Sequence, residues 1–296
     1  VKVGDIDDCV AAGFLESTSD RLRFRHELVR NAIYANLSAA SRQELHGRIF
    51  NALGKLAAPG ADPAELAHHA TSAGDAEAIV RFAPLAARTA ARLGAHKQAH
   101  VQYARALRHA EHLPDEQHAQ LLEEYALQCE LVDELGESIR SRSLATSLRQ
   151  KLVQPAAYGR NLAALAETYV RAGDNGAAET AAARAVEVLE KLPDAPELVT
   201  AYRAQATLRM LDRDSAAAEQ WANRTIAAAT RHADDLNLGA AHLLIGCVRL
   251  MTDRHDFMPH FDRCIRIAKE HDLPNLEVAA YANLGSGAGE LHRFDE

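Results

Sequence analysis

Small residues recur along this chain at a nearly constant interval, each inside a segment whose apolar positions have the spacing of a helix. The first column comprises Ala87, Cys129, Ala166, Ala206, Gly246 and Gly285, at intervals of 42, 37, 40, 40 and 39 residues. Two further columns keep the same phase: Ala99, Ser141, Ala178, Ala218 and Met258 follow twelve residues later, and Ala106, Leu148, Ala185, Thr225 and Ile265 seven residues after those. Such columns indicate repeated units in which two helix axes approach closely at the small residues.

Helix-breaking segments fall in the same phase. Within units they separate a first from a second helix, at Gly94, Gly136, Gly173, 212–214, 253–256 and 292–295. Between units they lie at 112–114, 153–155, 192–196, 232–235 and 271–274, where proline usually prevents the helix from continuing. The pattern predicts about five and a half helical hairpins over residues 61–296, the last one truncated. Because one hairpin cannot bury its apolar face alone, the hairpins should stack into a solenoid with a concave binding surface.

The third unit carries the most specific form of this pattern. Its key residues are Leu165, Ala166, Tyr169, Gly173, Ala178 and Ala185. Their spacing resembles the tetratricopeptide repeat, which implies an all-α, right-handed helical solenoid. Units of 37 to 42 residues are longer than the usual repeat of about 34. The second and fifth units carry Ser141, Leu148 and Met258 in place of alanine. We therefore expect longer helices of a degenerate kind.

The first sixty residues follow a different pattern. Residues 5–12 can form a short helix that ends at Gly13, and the alternation in 14–17 and 21–25 predicts a β-hairpin around 18–20. Two helices should follow, one over 26–37 and one capped by Ser38 or Ser41 and ending near Leu56. Helix, two-stranded wing and helices together predict a winged-helix-like module over residues 1–60.

A family resemblance becomes specific in this segment. Three stretches carry it: Gly-Phe-Leu at 13–15, the run Leu-Arg-Phe-Arg-His-Glu-Leu at 22–28 with its continuation to Leu37, and Ala-Glu-Leu-Ala-His-His at 64–69. They resemble the segment that links the ATPase core to helical repeats in STAND-type signalling ATPases, most of all the large ATP-binding transcriptional regulators of the LuxR type. The resemblance covers residues 1–110 closely. It implies a nucleotide core that binds ATP or ADP, and a DNA-binding domain, both outside this chain.

His26 is the most specific candidate for a functional residue that the resemblance supplies. The run Phe24 to Leu28 is similar to a histidine-acid-leucine motif whose histidine contacts the diphosphate of ADP in related ATPases, and Arg25 or Arg30 would add positive charge. An imidazole N–H that donates to a phosphate oxygen is a reasonable latch for a resting state. The alternative is that His26 caps or packs at the junction between strand and helix.

Composition narrows the function classes. The 60 alanines and the 5% aromatic content exclude an all-β fold, and the net charge of −8 argues against a protein that wraps nucleic acid over its whole surface. The arginines of the first fifty residues favour docking onto a missing core over DNA contact. Four cysteines without CxxC spacing and the absence of a long apolar run indicate reduced thiols in the cytoplasm and no membrane contact. Since the chain begins with Val1, we expect it to be a piece of a longer protein.

Motifs for catalysis are missing from the sequence. It contains neither GxxxxGK[ST] nor GxSxG, so we expect no enzyme activity and no cofactor in this piece. His96 and His100, with His109 and His112 nearby, could suggest a metal site, but surface histidines are the simpler interpretation. The expected function is a sensor that binds an effector or a partner protein on its repeats and controls its own nucleotide core. A regulatory region of an adenylate cyclase-linked ATPase and a free-standing interaction scaffold remain alternatives.

Overall fold

The computed structural model describes residues 3–18, 22–56, 62–252 and 254–290. The described part is helical apart from one two-stranded hairpin, which confirms the predicted all-α repeat fold. It divides into two compact units, Val1–Glu111 and His112–Glu296. The predicted boundary at 60/61 lies outside the described residues and stays a prediction, as do the turn residues at 292–295.

The first unit contains six helices and the hairpin within its described residues. They are α1 (Val3–Ala11), β1 (Leu15–Ser17), β2 (Leu22–Phe24), α2 (Glu27–Asn36), α3 (Ala39–Leu56), α4 (Pro63–Ala73), α5 (Ala76–Arg92) and α6 (His96–Leu107). Helices α3, α4, α5 and α6 pack in sequence, each against the next. Within this unit, the packing of neighbouring helices therefore begins at α3.

The N-terminal segment has the element order that the sequence predicts. Gly13 adopts a φ of 75°, a conformation open to glycine, and turns the chain from α1 into β1. The strands pair antiparallel with Leu15 opposite Phe24. Helix α2 has no buried residue, unlike the helices of the repeats. Assignment of the segment to the winged-helix class stays a prediction.

The second unit consists of stacked hairpins. Its helices are α7 (Asp115–Leu131), α8 (Leu135–Lys151), α9 (Pro155–Ala172), α10 (Asn175–Leu189), α11 (Leu198–Leu211), α12 (Ser215–His232), α13 (Asp235–Met251), α14 (Met258–Glu270) and α15 (Pro274–Glu290). The odd-numbered first helices pack directly against each other from α9 to α15. Each even-numbered helix packs against the first helix of its own hairpin and against the first helix of the next one.

Helix ends in the second unit follow a repeated local chemistry. Asp174, Asp214 and Asp234 accept hydrogen bonds from backbone amides three residues later and so cap α10, α12 and α13. The preceding helix often ends in a left-handed residue, as at Gly173. The prediction of Gly136 as a breaker is wrong, because that residue lies inside α8 and Asp133 takes the left-handed conformation instead, with a φ of 65°.

Candidate functional site

The predicted repeat-packing residues lie on the first helices. Four of them are fully buried or nearly so: Ala87 on α5, Cys129 on α7, Ala166 on α9 and Ala206 on α11. At Gly246 on α13, an added Cβ would lie 2.9 Å from the Phe261 ring, so the helices approach closely there. Gly285 on α15 differs, because it is exposed and an added Cβ would meet no atom within 4 Å.

A buried polar seam joins α7, α8 and α9. It consists of six side chains in three pairs, each pair spaced seven residues apart on one helix: Glu123 and Glu130, Arg142 and Arg149, Asn161 and Thr168. Two turns of helix separate such positions, so each pair lies on one face. The seam explains why the second hairpin lacks the alanines of the other units: polar side chains fill the space between its helices.

Each carboxylate of the seam receives donors from two helices. Arg149 donates from Nε to Glu123 Oε1 at 2.7 Å, and Asn161 Nδ2 donates to the same oxygen at 2.7 Å. Two helical turns further along the seam, Arg142 Nε and Thr168 Oγ1 donate to Glu130 Oε1 at 2.7 and 3.0 Å. Both glutamates thus bind one arginine from α8 and one polar side chain from α9, so the seam fixes the register of three helices at once.

The three residues that the resemblance offers for nucleotide sensing lie where the hairpin meets α2. His26 is exposed at the N-cap position of α2 and makes no capping hydrogen bond through its side chain. Arg30 follows one turn later and forms an exposed ion pair with Glu27. Arg25 lies 3.7 Å from Glu16 of β1, so its guanidinium is directed to the hairpin.

Exposed apolar side chains occur in the same segment of the chain as these residues. Leu28 on α2 is 82% exposed and Ile33 is 49% exposed, while Phe14, Leu22 and Phe24 of the hairpin region are each more than a third exposed. We call these five the open apolar surface. Scattered exposed hydrophobic residues are ordinary, but several within one short segment indicate an interaction site.

A cluster of three histidines links α2 to α3 and α4. The hydroxyl of Tyr34 lies 2.9 Å from His46 Nε2, and His46 Nδ1 lies 2.8 Å from His69 Nδ1. The ring of His68 lies 5.4 Å from that of His46, between centroids. Burial, with repulsion from His68, lowers the pKa of His46, and burial likewise lowers the pKa of His69. Burial therefore favours the neutral form of His46 and of His69. We call His46, His68 and His69 the imidazole cluster.

A second histidine pair lies within the second unit. His242 on α13 and His260 on α14 are joined by their Nδ1 atoms at 3.1 Å. Burial lowers the pKa of His242 to about 4, with further lowering by His260 and Arg263. This pair is neutral in the folded protein at ordinary pH.

The histidines that suggest a metal site lie on α6 and just after it. His96 and His100 lie one turn apart on α6. Within the described residues, no group of three or more histidine, cysteine, aspartate or glutamate side chains has an arrangement that could hold a metal ion. Among the same residues, every helix is too short or too polar to cross a bilayer.

Sequence reasoning missed both the seam and the imidazole cluster. The seam residues are polar at helical spacing, a pattern typical of a solvated face. Their seven-residue pairing on three consecutive helices is the signal that could identify them. His68 and His69 belong to the segment that carries the family resemblance, and nothing in the sequence places them beside His46 and Tyr34.

No protein-family model matches this sequence, and a search of curated proteins finds no significant match. Solved structures do resemble it. A Rap protein complexed with competence and sporulation factor aligns with a TM-score of 0.59 at 14% identity, over 90% of this chain and 83% of that protein. BtubC (BKLC) from P. vanneervenii aligns with a TM-score of 0.55 at 15% identity, over 80% of this chain and 94% of that protein.

A third similar structure is a signal transduction ATPase with numerous domains (STAND) that has a tetratricopeptide repeat sensor, from Pyrococcus horikoshii. It aligns with a TM-score of 0.53 at 18% identity over 98% of this chain. The chain spans 43% of that protein's length. These likenesses show a tetratricopeptide-like helical repeat fold.

Proposed function

We propose that this chain is the sensor and regulatory part of an ATP-dependent transcriptional regulator of the LuxR type, within the STAND class of signalling ATPases. Its repeats bind an effector or a partner protein. Its N-terminal winged-helix-like module, residues 1–60, transmits that event to a nucleotide core that holds ATP or ADP. A separate domain contacts DNA, the protein works in the cytoplasm, and this part itself catalyses no reaction.

The open apolar surface carries this proposal. A free-standing repeat scaffold gains stability by burying such side chains, yet α2 buries none of its residues. The surface lies beside Arg25, His26 and Arg30, so it joins apolar area to donors that suit a phosphate-bearing partner. A nucleotide core fits both features, because docking would cover the apolar side chains and bring His26 to the bound nucleotide.

The comparisons support the repeat-sensor part of this proposal. The STAND protein aligns over nearly the whole chain, so its match includes the N-terminal segment as well as the repeats. The Rap structure contains competence and sporulation factor, which is an example of a ligand held by a protein of similar fold.

The proposed mechanism is a two-state switch. In the resting state the module docks on the ADP-bound core, and His26 donates a hydrogen bond to the diphosphate. Effector binding on the repeats favours a state in which the module leaves the core, because the ligand binds that state more tightly. Release of ADP then permits the active, ATP-bound form.

Nucleotide retention by the complete protein tests this proposal. The wild type and His26→Ala are purified without added nucleotide, and bound ADP is measured by chromatography of the denatured protein, together with transcription from a target promoter. We expect the substitution to reduce retained ADP several-fold and to raise basal transcription. His255→Ala is the control, because His255 is equally exposed but lies between α13 and α14.

Two results would overturn the proposal. If the complete protein retains no nucleotide, a free-standing scaffold is the better description. If His26→Ala folds normally and changes neither ADP retention nor transcription, the nucleotide latch is wrong. Cyclic AMP synthesis in place of transcription would assign the chain to the adenylate cyclase-linked class.

A further inference from the structure

A cavity of about 580 Å³ opens between α2, α3 and α4 in the first unit. Helix α2 lines it with Arg30, Asn31 and Tyr34, α3 with Leu45, His46 and Ile49, and α4 with His68 and His69. On α2 and α3 the lining includes positions three or four apart, which lie on one face of a helix, and α4 contributes two adjacent histidines. Its volume falls within the range of small-molecule sites, about 300–1,000 Å³.

The polar side chains that line the cavity are basic or neutral. Its described lining residues supply a guanidinium, three imidazoles, a phenol and a carboxamide, and none of them is a carboxylate. Two acidic groups outside the lining act on it: Glu27 pairs with Arg30, and the Glu65 carboxylate raises the pKa of His69, against the lowering by burial. The Arg30 pair is solvent-exposed, and such pairs contribute little, so a ligand can exchange for Glu27 at small cost.

The hydrogen bonds in the cluster are also suited to a negative ligand. One Nδ1 of the His46–His69 pair must donate and the other must accept, so the pair is satisfied by a single shared proton. Further protonation places like charges within one small volume. An anion in the cavity supplies the missing counter-charge and favours proton uptake.

We propose that this cavity binds a small organic carboxylate with an apolar body. Arg30 and the imidazole cluster hold the carboxylate, and Leu45 and Ile49 contact the apolar part. The ligand bridges α2 to α3 and α4, which is significant because α2 buries no residue of its own. Tyr34 already makes this connection through His46, and the ligand strengthens it.

The site does not depend on the nucleotide core. The lining shares Arg30 with the proposed nucleotide contact but does not include His26, and binding is measurable on the 296-residue chain alone. If no carboxylate binds, the proposed function is unaffected. If the nucleotide latch at His26 is wrong, the cavity can still bind a carboxylate.

Calorimetric titration with matched probes tests the site. The probes are benzoate, phenylacetate and 4-phenylbutyrate, each compared with its uncharged amide, and ADP is titrated separately. We expect at least one acid to bind with one-to-one stoichiometry and about tenfold or more tighter than its amide. Affinity should rise by about threefold or more as the pH falls from about 8 to about 6, with net proton uptake, because the anion favours charged imidazoles.

Variants locate the binding to the cavity. Arg30→Gln and His69→Gln should each weaken binding by about fivefold or more, since both side chains face the ligand. Arg48→Gln is the matched control, because Arg48 is an exposed arginine on α3 that does not line the cavity. Circular dichroism confirms that each variant keeps the helical fold.

Several outcomes would overturn the inference. No binding of any acid at about 5 mM excludes a useful site. Equal binding of acid and amide, no effect of Arg30→Gln, or affinity independent of pH excludes the proposed recognition. Binding of ADP without binding of any carboxylate assigns the basic residues to the nucleotide contact instead.

Discussion

Removal of the Arg149 guanidinium should destabilise the second unit far more than loss of an ordinary surface arginine. The Arg149 side chain is only 6% exposed. It donates to both carboxylate oxygens of Glu123, at 2.7 and 3.1 Å, and to Glu116 and Gln154 at 2.6 and 2.7 Å. Arg149→Met keeps an unbranched apolar side chain and removes every one of these hydrogen bonds.

The magnitude follows from what the substitution leaves behind. Glu123 is 15% exposed, and it keeps the Asn161 hydrogen bond and a longer contact, 3.6 Å, to Arg160. Loss of one partner of a buried pair costs about 3–5 kcal/mol, because the remaining charge is uncompensated. Because Glu123 keeps these two contacts, we expect Arg149→Met to lower the free energy of unfolding by about 3 kcal/mol, near the lower end of that range.

A second substitution should restore part of this loss. Glu123→Gln removes the uncompensated charge and keeps an amide oxygen that can accept from Asn161. The double variant should therefore be more stable than Arg149→Met alone by about 1–2 kcal/mol. The two substitutions are then strongly non-additive.

Urea unfolding followed by circular dichroism measures this cycle. We expect a coupling free energy of about 2 kcal/mol between Arg149 and Glu123. A control cycle at Arg184 and Glu187, an exposed pair on α10, should show no resolvable coupling. Additive behaviour of the buried pair, with coupling below about 0.5 kcal/mol, would refute the reasoning.

Three further predictions concern other parts of the chain. Burial lowers the pKa of His242 to about 4, so the unfolded chain binds more protons than the folded chain between about pH 6.5 and 4. The free energy of unfolding should therefore fall by about 2 kcal/mol as the pH drops over that range. Urea unfolding measured at several pH values should show that His242→Gln lacks this part of the fall. Gly246→Ala should lower the melting temperature and cost about 1–3 kcal/mol of stability, because the new Cβ meets the Phe261 ring at 2.9 Å. Gly285→Ala should instead stabilise α15 by up to about 1 kcal/mol, because an added Cβ there meets no atom within 4 Å. A lower melting temperature for Gly285→Ala would contradict the open space at that position. The Cys129 thiol is fully buried and burial raises its pKa to about 11, so a thiol reagent should label it only on unfolding, and rapid labelling of the native protein would show that α7 is not packed as described.

The repeat fold was predictable because close helix packing leaves a direct mark on the sequence. Alanine at 166 and 206 and glycine at 246 lie where two helices nearly touch, and only small side chains fit there. The turn between α7 and α8 was less predictable. Glycine at 136 suggested the break, yet Asp133 takes the left-handed conformation, since aspartate tolerates it better than most residues.

The candidate sites were predictable only where the local sequence carries them. The position of His26 at the start of α2 follows from the strand-to-helix pattern. The imidazole cluster depends on α3 and α4 packing side by side, a contact between residues more than twenty positions apart. The seam depends on three helices in one register, so no single segment reveals it.

Hydrogen exchange in α2 tests the central claim most directly. The claim is that the open apolar surface docks on a nucleotide core in the complete protein. Backbone exchange over residues 27–36 is compared between the 296-residue chain and the complete protein with ADP, and α10 serves as the internal reference. The account predicts much slower exchange of α2 in the complete protein and unchanged exchange of α10. Equal exchange of α2 in both proteins would contradict it.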